Sequence, residues 1–127
     1  MKSLLSKIFK KNKSSQSLYF MNIPINEIDN WKLELWKKDN VINLINKNGF
    51  YLKPDFRAGS IYYVNNNQLC QIYIEQSGVK ELDILIFFDQ LSHWELPIRK
   101  EMTEDEKKQI LEKLKIWLKE KKLKSDL

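Results

Sequence analysis

The strongest constraint on the fold is a change in hydrophobic period that begins near residue 50. From there apolar and polar residues alternate at every second position, which is the spacing of side chains on one face of a β-strand. Four consecutive segments show it: "FYLK" (50–53), "SIYYVN" (60–65), "QLCQIYIE" (68–75) and "ELDILIFF" (81–88). The sequence therefore predicts an α+β fold around an antiparallel sheet of about four to five strands.

The links between these segments are short and rich in turn residues. "NNN" (65–67) and "QSGVK" (76–80) are predicted turns, the second with a glycine that tolerates unusual backbone angles. Since short links join antiparallel neighbours, the strands are predicted to follow one another as a meander. "KPDFRAG" (53–59) predicts a longer loop, and "SLYFMNIP" (17–24) predicts an edge strand that ends at its proline.

The region before the sheet is less regular. Residues 25–38 fit either a helix or a strand. "DNVINLINKNGF", which starts at Asp39, predicts a short helix with Asp39 as its cap and Gly49 as its stop. Its apolar stripe consists of Val41, Ile42, Leu44 and Ile45.

The two faces of the predicted sheet differ in chemistry. One is almost purely apolar and must be covered by another element; it carries Ile61, Tyr63, Cys70, Ile72, Ile74, Leu82, Ile84, Ile86 and Phe88. The other mixes aromatic, aliphatic and acidic side chains; it carries Tyr62, Val64, Leu69, Gln71, Tyr73, Glu75, Glu81, Asp83, Leu85 and Phe87.

The cover for the apolar face is predicted to be a long C-terminal helix. Thr103 and Glu106 have the spacing of a capping box, in which each side chain satisfies a backbone N–H of the first turn. An apolar stripe follows, formed by Ile110, Leu111, Leu114, Trp117 and Leu118. "HWELPIRKEM" (93–102) then connects sheet to helix: Trp94 is expected to pack at the sheet edge, and Pro97 prevents the strand from continuing.

Few residues support catalysis. His93 is the single histidine and a candidate general base, but no nucleophile motif accompanies it, and a structural role is expected. Cys70 lies among apolar strand residues, where a thiol is expected to be inert. One histidine and one cysteine make a metal site improbable, no glycine-rich phosphate loop is present, and no apolar run approaches a membrane span. No enzymatic activity and no cofactor are expected.

The net charge of +5 is unevenly distributed along the chain. The first 20 residues carry five lysines and no acid, whereas the other 107 hold 17 basic and 17 acidic side chains. A nucleic-acid-binding surface needs clustered basic residues on the fold itself, so nucleic acid is not an expected partner.

The basic N-terminus is predicted to be a tail (1–16) that precedes a single α+β domain (17–127). On a helical projection its apolar residues share one arc opposite lysines. Two readings stay open: a soluble flexible terminus, or reversible docking on an anionic membrane. Membrane contact would involve Leu4, Leu5, Lys7, Ile8, Phe9, Lys10 and Lys11.

Binding is the function class that remains. Aromatic side chains are favoured at protein interfaces, and carboxylates beside them would steer a basic partner towards the mixed sheet face. The predicted partner-binding residues are Tyr62, Tyr73, Glu75, Glu81, Asp83 and Phe87. The alternative that stays open is that this face is covered by the tail or by residues 25–48, or that its tyrosines are simply exposed to solvent.

A strand ending in "DILIFFD", then "W-x-x-P", then a threonine-capped, charged closing helix resembles small bacterial immunity proteins of polymorphic-toxin and contact-dependent-inhibition systems. The resemblance covers roughly residues 48–121 and concerns layout. It implies a cytoplasmic, non-catalytic chain that neutralises a cognate protein toxin. Separately from the resemblance, the chain is expected to be a monomer or a weak dimer. That toxin would be basic, such as a nuclease, and the acidic aromatic face would imitate its substrate. The alternative is a peripheral adaptor docked on the inner face of the membrane through residues 1–13.

Overall fold

The computed structural model describes residues 19–127 and has the predicted α+β architecture. It divides into two compact units, with the boundary between Ile42 and Asn43. The prediction of one domain over 17–127 stays a prediction.

The described part of the first unit begins with a small hairpin. Strands β1 (Tyr19–Phe20) and β2 (Ile23–Pro24) pair antiparallel. The link residues Met21 and Asn22 both have positive φ, 52° and 69°, which reverses the chain. The described part of the predicted edge strand is therefore a hairpin.

Helix α1 (Asn30–Lys38) follows a short 3-10 turn at Ile25–Glu27, so the segment that fitted either helix or strand is mainly helical. It buries Leu33 and Trp36, and the Trp36 ring stacks on Phe20 at 5.9 Å between centroids. The helix predicted to start at Asp39 was placed wrongly.

Asp39 is the C-cap of α1, and its N–H donates to the Leu35 carbonyl at 2.8 Å. Asn40 then adopts φ 55°, a left-handed angle that asparagine tolerates and that ends helices. Only a 3-10 turn, Val41–Asn43, follows, and the boundary between the two units falls within it.

The second unit contains the predicted meander as a four-stranded antiparallel sheet in the order β3–β4–β5–β6. Its strands are β3 (Gly49–Asp55), β4 (Ala58–Asn65), β5 (Gln68–Gln76) and β6 (Ile84–Ile86). The turn between β4 and β5 is Asn66–Asn67, both with positive φ (52° and 62°), as the primed hairpin turns require.

The loop predicted over 53–59 is instead a tight hairpin. Asp55 pairs with Ala58 and Pro54 with Gly59, which leaves Phe56 and Arg57 as a two-residue turn. Gly59 makes the close pairing possible, because a Cβ at this position would lie 2.7 Å from the Lys53 carbonyl oxygen. The strands therefore extend further than the hydrophobic alternation indicates.

The last sheet strand is shorter than predicted. Only Ile84–Ile86 of the segment 81–88 is strand, and a 3-10 turn, Phe88–Gln90, ends it. The C-terminal segment covers its outer edge: Ile84 forms a parallel bridge with Ser125, and the Ile86 N–H donates to the Asp126 carboxylate at 2.9 Å. This edge is thereby removed from solvent.

Helix α2 (Glu104–Glu120) lies on the apolar sheet face as predicted. Ile110, Leu114 and Leu118 of the helix are buried in one cluster with the strand residues. Rings add to it, with Phe50 4.5 Å from Tyr63 and 5.5 Å from Trp117 between centroids. The strand and loop members of the cluster are Ile61, Tyr63, Cys70, Ile72, Ile74, Ile84, Ile86, Leu91, Trp94 and Met102.

The connection from sheet to helix forms a second small hairpin, β7 (His93–Trp94) with β8 (Lys100–Glu101). Trp94 is buried with its ring 6.1 Å from Tyr63, as the sequence predicted for the sheet edge. The Leu96–Pro97 peptide bond is cis, and the Leu96 carbonyl accepts from the Leu69 N–H at 2.9 Å.

The capping box at the start of α2 is complete. The Glu106 N–H donates to the Thr103 hydroxyl at 3.1 Å, and the Thr103 N–H donates to the Glu106 carboxylate at 2.9 Å. The other carboxylate oxygen of Glu106 accepts from the Trp94 indole at 3.1 Å. Glu106 therefore joins the helix terminus to the hairpin before it.

These bonds make the contribution of Glu106 to stability depend on pH. The Thr103 N–H is the main cause that lowers the pKa of Glu106 below its ordinary value of 4.5; partial burial opposes it and the Trp94 N–H adds to it. Since the folded-state pKa is lowered, the stabilisation is complete above the unfolded-state value and is lost as the pH falls through the folded-state value.

We expect Glu106→Gln to destabilise the protein near neutral pH by about 0.3–1 kcal/mol, the usual worth of a charge at a helix N-terminus. The gap between wild type and variant should narrow as the pH falls below 4.5. Urea unfolding of both proteins across acidic pH measures this. A gap that widens on acidification would contradict the assignment.

Candidate functional site

The mixed face of the sheet is divided into a buried half and an accessible half. The strand register places Ser60 opposite Tyr73, and Ala58 opposite Glu75, which in turn pairs with Leu85. We call the accessible half the open face and define it by Tyr73, Glu75, Leu85 and Phe87. Tyr73, Leu85 and Phe87 are half-buried and Glu75 is exposed.

The buried half includes one of the predicted binding residues. Tyr62 is fully buried, so its side chain is not accessible to a partner in this structure, and its predicted role in binding stays a prediction. Gln71 donates to the Ser60 hydroxyl at 2.9 Å and to the Tyr62 hydroxyl at 3.4 Å. Alternation alone does not show how far along a strand the burial extends, and for that reason Tyr62 was placed with Tyr73.

The same polar cluster reaches the open face. The Tyr73 hydroxyl donates to the side-chain carbonyl of Gln71 at 3.4 Å. The Phe87 N–H donates to the Tyr73 carbonyl at 3.0 Å, which continues the ladder beyond β6 and sets Phe87 beside Tyr73. Backbone hydrogen bonding therefore places Phe87 beside Tyr73, and the bond to Gln71 fixes the Tyr73 hydroxyl.

The three predicted carboxylates have different environments. Glu75 lies on β5 within the open face and is exposed. Glu81 is exposed in the connection between β5 and β6. Asp83 is also exposed, but its carboxylate accepts from the Lys124 N–H at 2.8 Å and its own N–H donates to the Lys124 carbonyl at 2.8 Å. Asp83 therefore holds the C-terminal segment, whereas Glu75 and Glu81 are the carboxylates that a partner would meet.

The groups considered for catalysis have structural surroundings. The Ser92 hydroxyl and His93 Nδ1 are 2.6 Å apart, and His93 is half-buried beside β8. Cys70 is fully buried in the core, and this burial raises the pKa of its thiol far above the ordinary value. The thiol therefore stays protonated at neutral pH and is not a nucleophile.

Neither metal ligands nor a membrane-spanning helix emerge from the part of the chain that the structure describes. Among residues 19–127, no three or more His, Cys, Asp or Glu side chains are grouped so that they could hold a metal ion. In the same range no helix combines the length and the apolar character needed to cross a bilayer. The predicted membrane-contact residues lie outside the described residues; they are Leu4, Leu5, Lys7, Ile8, Phe9, Lys10 and Lys11.

Two residues, one in the open face and one beside it, were not among the predicted partner-binding residues. Leu85 belongs to the mixed face by alternation but was passed over because it is neither aromatic nor charged. Phe56 was assigned to a loop, although a lone aromatic residue inside the polar segment "KPDFRAG" was a usable signal.

Comparisons of this chain with protein-family models, with curated proteins and with solved structures found no match.

Proposed function

We propose that this protein is a non-catalytic binding module that acts as an immunity-type inhibitor and neutralises a cognate protein toxin by direct contact through the open face. The observation that carries the proposal is the presence of half-exposed Tyr73 and Phe87 beside the exposed carboxylate of Glu75, where β5 and β6 pair.

Aromatic residues are enriched among the side chains that dominate binding energy at protein interfaces. They contribute most when they are already ordered, because little conformational entropy is then lost on binding. Tyr73 meets this condition: its backbone is paired on both sides, with Ser60 and with the Phe87 N–H, and its hydroxyl is hydrogen-bonded to Gln71.

The exposed carboxylates on the open face and in the neighbouring β5–β6 connection favour a basic partner. Glu75 and Glu81 are exposed, so they would attract cationic groups and repel anionic ones during encounter. A nuclease presents such cationic groups where it binds phosphates. Carboxylates placed beside aromatic rings resemble the phosphates and bases of its substrate, which is how this face would block it.

The test begins with affinity purification of the tagged protein from its native cells and mass spectrometry of the retained proteins. We expect a stoichiometric basic protein that is toxic when expressed alone and harmless with this chain. The toxin is then purified, and its activity is measured with increasing amounts of this protein. Inhibition that saturates at equimolar amounts supports the proposal.

Two results would contradict it. One is a retained protein whose toxicity or activity is unchanged by this chain. The other is an empty purification with the protein recovered on anionic phospholipid vesicles in a salt-sensitive manner that requires residues 1–13. The second outcome would establish the alternative of a peripheral membrane adaptor.

A further inference from the structure

The turn between β3 and β4 carries the most exposed of the large hydrophobic side chains that the structure describes. Phe56 is 91% exposed, whereas the rings of Phe20, Trp36 and Trp94 are buried. Exposing a phenylalanine to water forfeits the free energy that its burial would provide. An isolated exposed apolar residue is common on protein surfaces, so exposure alone assigns nothing to Phe56.

Its backbone supplies a second observation. Phe56 is the first residue of a two-residue hairpin turn and has φ 59°. The turns that suit this position need positive φ, for which glycine, asparagine and aspartate are the usual residues. The next hairpin of the same sheet uses them, with Asn66 and Asn67 at its turn. A bulky residue at positive φ is strained, and residues held in such conformations cluster at functional sites.

The position of Phe56 in the sheet supplies a third observation. The Arg57 carbonyl accepts from the Gln76 N–H at 2.7 Å, which fixes the turn beside the end of β5. Directly behind the turn, Asp55 pairs with Ala58, Ala58 with Glu75 and Glu75 with Leu85. Phe56 therefore stands at the margin of the open face, on the same rigid sheet and next to the carboxylates of Asp55 and Glu75.

We infer that Phe56 is an anchor that inserts into an apolar pocket of the protein partner, while the open face behind it contacts the rim of that pocket. The inference rests on the proposed function and extends it by naming the side chain that enters the partner. The pocket is expected to have cationic groups at its rim, because exposed Asp55 and Glu75 flank the point of entry.

The charges that flank Phe56 distinguish a pocket on a protein partner from two other surroundings that could receive its ring, a bilayer and a second copy of this chain. An anionic bilayer would take up the ring but would repel the carboxylates of Asp55 and Glu75. A second copy of the chain, docked tip to tip, would bring those carboxylates against their equivalents. Arg57 lies in the same turn, with its guanidinium 5.8 Å from the Phe56 ring centroid, and it offsets one of the two negative charges. Asp55, Arg57 and Glu75 together therefore keep a net charge of −1.

The test compares Phe56→Asn with wild type in two measurements. Asparagine removes the ring and accommodates positive φ, so we expect a higher thermal unfolding temperature together with a loss of affinity. Affinity for the purified toxin, by isothermal titration calorimetry, should fall by at least about 30-fold, as for an anchor at an interface. A variant that is more stable and binds more weakly separates an anchor from a merely structural residue.

Ile116→Asn is the matched control. Ile116 is 60% exposed on α2, the helix that covers the opposite, apolar face of the sheet. The Ile116→Asn variant therefore also replaces an exposed apolar side chain by asparagine, but on the other side of the sheet. We expect its affinity for the toxin to stay within about 2-fold of wild type. Unchanged affinity in Phe56→Asn, or an equal loss in both variants, would overturn the inference.

Photo-crosslinking identifies what residue 56 contacts in cells. With the photoreactive analogue p-benzoylphenylalanine in place of Phe56, we expect a cross-link to the toxin and none from the same analogue at position 116. A cross-link to lipid or to a second copy of this chain would overturn the anchor. If the toxin binds and is inhibited without cross-linking to position 56, the anchor fails while the proposed function stands. If no toxin is inhibited, both fail.

Discussion

Trp94→Ala is expected to lower the free energy of unfolding by about 3–5 kcal/mol, the usual cost of deleting a buried aromatic side chain. Trp94 is 3% exposed and belongs to the cluster between sheet and α2. Its removal opens a cavity beside Tyr63 and also takes away the indole donor of Glu106. The loss is large against a typical total of about 5–15 kcal/mol. Urea unfolding followed by far-UV circular dichroism measures it.

Two further variants separate the contribution of burial from that of the indole hydrogen bond. Trp31→Ala makes the same chemical change at a side chain that is 56% exposed, and we expect it to cost less than about 1 kcal/mol. Trp94→Phe retains most of the apolar volume but lacks the indole N–H, so an intermediate loss of about 1–2 kcal/mol is expected. Equal losses from Trp31→Ala and Trp94→Ala would show that Trp94 does not belong to the core.

The second large effect concerns binding. Tyr73→Ala combined with Glu75→Lys is expected to weaken the affinity for the proposed toxin by about 3–5 kcal/mol, which is about 150-fold or more. The ring of Tyr73 is removed, and a charge that attracts a basic partner becomes one that repels it. The measurement is a titration of the purified toxin, together with survival of cells that express it.

The choice of residues follows from their contacts. Asp83 is left unchanged because its carboxylate holds the Lys124 N–H, so a change there would disturb the fold as well as the surface. Glu112→Lys serves as the control, since Glu112 is exposed on α2 and away from the open face. Full affinity in the open-face variant, with unchanged unfolding, would place the binding surface elsewhere on the molecule.

The sequence was informative where one physical cause dominates. Alternation located β4 and β5 because each of them buries every second residue against α2, and that burial leaves a period-two record. The capping box was found because its chemistry is local and complete within four positions, Thr103 to Glu106. No other part of the chain needs to be known for either inference.

The sequence was less informative where backbone conformation determines where an element ends or turns. Helix α1 ends where Asn40 adopts a left-handed backbone angle. The hairpin turn at residues 56–57 forms although neither residue is typical of a tight turn. In both places the local sequence fits several conformations, and contacts made elsewhere select one. The predicted helix from Asp39 and the predicted loop over 53–59 failed for this reason.

The sequence predicted which types of residue lie on the mixed face, but not how much of that face is accessible. Strand alternation identified the mixed face, and Tyr73, Glu75 and Phe87 do lie together on it. Tyr62 has the same alternation and the same chemistry, yet it is fully buried. Which half of a sheet face is covered depends on tertiary packing, which a period of two does not encode.

The hydrogen bonds between the β6 region and residues 124–126 have a consequence for folding during biosynthesis. Ile86 donates to Asp126, and Asp83 binds Lys124, across about forty residues of intervening chain. The hairpins of β3, β4 and β5 involve only near neighbours in sequence, so they can form early, whereas contacts of long sequence separation form late. Strand β6 therefore acquires its last hydrogen bonds only after the ribosome has added residue 126, and until then the outer edge of the nascent sheet is unpaired.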